Sequence, residues 1–81
     1  MTKAQRNALL KKAYAMLDEA YLLLDEANNE ESESLCGWPE SLQETERYQI
    51  AEARASMIED AFSSVEELRD NVEAIINDEV L

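Results

Sequence analysis

The chain has 81 residues, of which 46% are apolar, and nineteen acids against seven bases give it a net charge of −12. Such a length makes one small domain with a thin core. The acid excess excludes phosphate-backbone binding and docking on an anionic membrane, both of which rely on Lys and Arg, and it favours basic protein partners.

One Gly, one Pro and long runs of Ala, Leu and Glu mark a helical composition. No uncharged run approaches the roughly 20 residues that span a bilayer, and no secretory signal is visible. The single Cys36 has no internal partner, which fits a reducing cytoplasm.

Thr2-Lys3-Ala4-Gln5 reads as a capping box that opens helix 1, expected over about residues 3–28. Within it, Ala13-Tyr14-Ala15-Met16-Leu17-Asp18-Glu19 is nearly repeated as Ala20-Tyr21-Leu22-Leu23-Leu24-Asp25-Glu26. With Leu10, Leu17 and Leu24 at heptad position a, Ala13, Ala20 and Ala27 fall at d. Leu9, Met16 and Leu23 then fall at g, Tyr14 and Tyr21 at e, and Ala15 and Leu22 at f. A two-stranded coiled coil needs only a and d, so a stripe this wide predicts a helix surrounded on several sides. Lys3, Arg6, Lys11 and Lys12 oppose the macrodipole at its start. An antiparallel neighbour bringing Glu73, Asp78 and Glu79 alongside would favour them.

Asn28-Asn29 reads as the helix stop, and Glu30 to Gly37 as an acidic surface loop inside a connector of about residues 29–43. In the connector, Leu35, Trp38 and Leu42 are apolar and expected to fold back over one end of the helices. Pro39 suits the start of a helical turn, and Ser41-Leu42-Gln43-Glu44 is a second possible capping box. Helix 2 is expected over about residues 44–78, beginning near Ser41 or Thr45. Ala51, Ile58, Val65 and Val72 stand at a, with Ala61, Leu68 and Ile75 at d. Ala55, Phe62 and Ile76 widen its stripe, and acid pairs recur at b and c, expected to face solvent.

The segment Trp38-Pro39-Glu40-Ser41-Leu42-Gln43-Glu44-Thr45-Glu46-Arg47-Tyr48, leading into an acidic helix, resembles small acidic two-helix hypothetical proteins of Gram-positive bacteria and their phages. Those share a P-E-x-L-Q-x-S/T-E-R-Y-like connector. This chain has a longer acidic, Ser-rich lead-in and an added Cys36. The resemblance implies a phage or prophage setting and the cytoplasm of a bacterial host; it implies no activity.

Catalysis has little to rest on. The chain has no His and no Gly-rich phosphate loop, and Cys36 has four glutamates within six residues and no base within ten. An EF-hand register from Glu30 fails, because its sixth and twelfth places hold Leu35 and Ser41. No cofactor and no dedicated metal site are expected. Tyr14, Tyr21, Tyr48 and Phe62 read as core with hydroxyls at the rim, whereas Trp38 either caps the bundle or anchors a partner.

The reading is therefore all-α: an antiparallel helical hairpin over residues 1–81 that dimerises into a four-helix bundle. Leu10, Leu17, Leu24, Ile58, Val65, Leu68 and Val72 are the expected assembly residues. The expected role is non-enzymatic, binding and inhibiting a host protein, with Leu35, Trp38, Leu42, Glu59, Asp60, Glu66 and Glu67 as candidate partner contacts. Two alternatives stay open: a DNA-mimic decoy for a nucleic-acid-binding protein, and an oligomer that sequesters a small ligand such as a nucleotide.

Overall fold

The computed structural model describes residues 1–78. Two long helices, α1 (Lys3–Cys36) and α2 (Glu46–Ile76), are joined through a single 3-10 turn at Glu40–Leu42. They pack antiparallel along their length into a rod of 61 × 22 × 17 Å. Its radius of gyration is 17.9 Å, where a compact chain of this length would have about 12 Å.

Both helices start on side-chain caps. Thr2 and Gln5 form the reciprocal capping box expected from the sequence, and the Thr45 hydroxyl accepts from the Tyr48 amide while donating to the Leu42 carbonyl. The Ser41 alternative is not used; Ser41 lies inside the 3-10 turn. After α2, Asp78 takes a left-handed conformation (φ 57°) and its amide bonds back to the Ile75 carbonyl, closing the helix end.

The first correction concerns length. α1 does not stop at Asn28-Asn29 but runs through the expected loop to Cys36. The physical reason is that Leu24, Asn28, Glu31 and Leu35 continue the 3-4 spacing, and all four are half-buried. Asn is a weak helix former, and a packed face overrides that preference. The stop is set by Pro39, which excludes Trp38 from the helical region. Gly37 itself keeps a right-handed conformation at φ −82°.

The second correction concerns which stripe forms the seam. The half-buried line of α1 runs through Asn7, Leu10, Tyr14, Leu17, Tyr21, Leu24, Asn28, Glu31 and Leu35. That of α2 runs through Tyr48, Ala51, Ala55, Ile58, Phe62, Val65, Arg69, Val72 and Ile76. In both helices these are heptad positions a and e, with Ala13, Ala20 and Ala27 of the d row half-buried on the flank of α1. Tyr21 stacks on Phe62 with ring centroids 4.9 Å apart, and Trp38 meets Tyr48 edge-on at 5.5 Å. Leu10, Leu17, Leu24, Ile58, Val65 and Val72 lie in this seam between α1 and α2, whereas Leu68, at d, is 51% exposed. The b-row acids are corrected too: Asp18, Asp25 and Glu66 are half-buried along the seam edge rather than turned to solvent.

The expected neutralisation of the N-terminal cations is partial. Lys3 pairs with Asp78 at 3.4 Å, while Arg6 donates to the Met1 carbonyl and Glu73 accepts from the Tyr14 hydroxyl. Glu79 lies outside the described residues.

Candidate interaction face

The two edges of the seam differ in chemistry. In an antiparallel pair, equivalent heptad letters of the two helices face each other across the seam, so the b rows line one edge and the d rows the other. Contacts fix this assignment: b-row Asp18 accepts from Arg69, b-row Glu73 from Tyr14, while d-row Arg54 pairs with a-row Glu31 at 2.7 Å on the opposite edge.

The b edge is a polar network centred on Arg69. Its guanidinium lies 4.0 Å over the Tyr21 ring, donates to Asp18 at 3.1 Å and to Asp70 at 3.3 Å, and keeps only 18% side-chain exposure. Desolvation works against its charge, but the hydrogen bonds to Asp70 and Asp18 prevail and raise its pKa.

Tyr14 and Tyr21 are both held above the ordinary value of 10.0, first by desolvation and then by Glu73 and Glu66 respectively. A folded value above the unfolded one contributes stability that is complete below about pH 10 and is lost as pH rises through the folded values. Thermal melts should therefore decline above about pH 10, in step with phenolate absorbance. The Tyr14→Phe, Tyr21→Phe double variant should show a shallower decline, and an identical decline would remove the tyrosines as its cause.

The d edge carries no such network. Leu9, Met16 and Leu23 at g flank Ala13, Ala20 and Ala27 at d on α1; Ile50 and Met57 at g flank Ala61, Leu68 and Ile75 at d on α2. Because both d rows line the same edge, these residues lie on one largely apolar face along the rod, interrupted on α2 by Arg54, Ser64 and Asn71. Met57 on this face is 72% exposed and Met16 66%. Its charged residues are Arg6, Arg47 and Arg54 against Glu30 and Asp78, so it is nearly neutral on a chain of −12.

The connector adds a groove of about 530 Å³ lined by Glu33, Gly37, Trp38, Pro39, Leu42 and Arg47, among others. Trp38 is half-buried against Tyr48, whereas Leu42 remains exposed. Leu35, expected in the connector, belongs instead to the helical seam. The structure therefore does not gather the candidate contacts into one site: Trp38 and Leu42 sit at the turn, Glu66 faces Tyr21, and Glu59, Asp60 and Glu67 are exposed on α2.

Sequence reasoning recognises Leu9, Met16 and Leu23 as part of a wide stripe, but not that they and α2's Ile50 and Met57 form a second face. Their own 3-4 spacing with the d residues is the available signal. Among the described residues, no helix is long and apolar enough to cross a membrane, and no three metal-ligating side chains converge. Protein-family models, curated proteins and solved structures yield no match to this chain.

Proposed function

We propose that this chain is a non-enzymatic helical interaction protein whose working unit is a dimeric four-helix bundle, closed by the d/g faces of two hairpins. The observation that carries this reading is the second heptad stripe on each helix, largely uncovered and nearly uncharged on one side of an acidic rod.

Exposure gives the scale. The chain presents 6323 Å² to solvent, whereas a compact fold of its mass presents about 4,900 Å². The excess of about 1,400 Å² is larger than the roughly 800 Å² each partner contributes to a standard interface. Among the described residues no side chain is fully buried, so the hairpin alone lacks the enclosed core that small folds depend on. A second copy is the occupant this face fits, since a −12 chain associates with itself most easily through its least charged side. The acid-rich sides remain outward and favour a basic protein partner. The connector's likeness to phage and prophage proteins favours a host protein in that role.

Sedimentation equilibrium at micromolar concentration tests the assembly. The wild type should run as a dimer and the Leu23→Glu, Met57→Glu variant as a monomer. A folded wild-type monomer would overturn the proposal.

A further inference from the structure

We infer that the two hairpins of the dimer lie with their turns at opposite ends. This orientation rests on the self-association reading above and extends it, because both a same-end and an opposite-end pairing satisfy two-fold symmetry through the d/g face.

Charge along the rod separates the two. The turn half, residues 20–63, holds eleven acids and two bases; the terminal half, residues 1–19 and 64–78, holds seven acids and five bases. The excess is therefore concentrated at the turn. Same-end pairing would stack two strongly negative halves about 10 Å apart, the ordinary spacing of packed helices. At that distance, screening is incomplete at 0.1 M salt, where the Debye length is about 10 Å. Opposite-end pairing lays each negative half over the half that carries Lys3, Arg6, Lys11 and Lys12.

Local geometry agrees with this arrangement. With turns at opposite ends, α1 crosses over α1 of the second copy in antiparallel register. Lys12, in the c row bordering the d/g face, then comes alongside the c-row acid Glu26 of the other copy. Lys12 makes no ion pair among the described residues of its own chain, so it is available for this role. Ala20 and Ala61 stand near the middle of the face, where the small side chains let the two hairpins approach closely at the symmetry axis.

Cys36 is the only cysteine and is exposed near one end of α1, outside the d/g face, so it reports orientation without any substitution. A spin label on Cys36 of the full chain, measured by pulsed dipolar spectroscopy, should give one distance near 50 Å. Sixteen helical residues separate Cys36 from the middle of the rod in each copy, at about 1.5 Å per residue. Same-end pairing would bring the labels within about 25 Å, two helix diameters.

Sedimentation of the same labelled sample separates the two possible failures. A dimer with the short distance, or with both distances equally populated in 0.01 M salt, overturns the orientation and leaves self-association standing. A monomer overturns both. Raising NaCl should let the short distance appear in the dimer; a distribution unchanged by salt would remove charge as the orienting force.

Discussion

Replacing Leu17 by Glu is expected to unfold the hairpin, whereas the same change at Leu22 should leave the fold within about 0.5 kcal/mol of the wild type. Leu17 stands at position a, half-buried in the middle of the seam between Tyr14 and Tyr21. A carboxylate there either stays ionised in a partly desolvated place beside Asp18 and near Glu66, or takes up a proton; both cost stability. Leu17→Ala removes only apolar contact and should cost about 2 kcal/mol, the low end for a Leu in a seam that is not fully enclosed. Leu22 is the contrasting case. It is 59% exposed at position f, away from both the seam and the d/g face. Circular-dichroism melts of the three variants would order them. Leu22→Glu unfolding as readily as Leu17→Glu would show that f is covered as well, and that the assembly is larger than a dimer.

That contrast marks where the sequence is legible and where it is not. The cap at Thr2, the two helices and their antiparallel return can be read directly, because each rests on local chemistry or on a 3-4 repeat; at the start of α2 the Ser41 capping box competes in the sequence with the Thr45 cap that forms. The choice of seam cannot. Leu, Met, Ala and Tyr fill a, d, e and g of α1 almost equally, so apolar periodicity alone leaves two overlapping stripes of similar quality. What selects a and e is the pairing of particular residues across the hairpin. Tyr21 finds Phe62, Tyr14 finds Glu73, and Arg69 at e finds both Asp18 and the Tyr21 ring. None of these pairs is visible until the two helices are aligned. The misread stop at Asn28-Asn29 has the same origin: two poor helix formers outweigh their surroundings only when the surroundings are ignored, and Glu31 and Leu35 continue the packed face beyond them. The second face is missed because Ile50 and Met57 look like isolated surface residues until the d row of α1 lies beside the d row of α2.

Arg69→Glu should be the most damaging single charge change on α2, and Asp18→Lys should partly restore the fold when combined with it. Arg69 is the only base of α2 that follows Arg54, and it occupies a seam position that the heptad otherwise fills with Tyr48, Ala55, Phe62 and Ile76. Its fork holds Asp18 and Asp70 together over the Tyr21 ring, with Glu66 and Glu73 on the same edge. Reversal would set a fifth carboxylate among those four with no cation in reach, so the helices should separate at temperatures where the wild type holds. Arg69→Lys keeps the charge but loses the planar stack and the forked donors, and should fall between the two. Arg69→Met removes charge while preserving length, and replacing a seam ion pair by an apolar side chain is often neutral for stability. Alignment, more than stability, should then suffer. Sliding α2 by one heptad in one direction sets position 69 beside Lys11 instead of Asp18, a placement the arginine forbids and methionine tolerates. An Arg69→Met hairpin that melts near the wild-type temperature yet shows more than one register in cross-linking would support this role. Failure of Asp18→Lys to rescue Arg69→Glu at all would show that the ion pair does not hold the register.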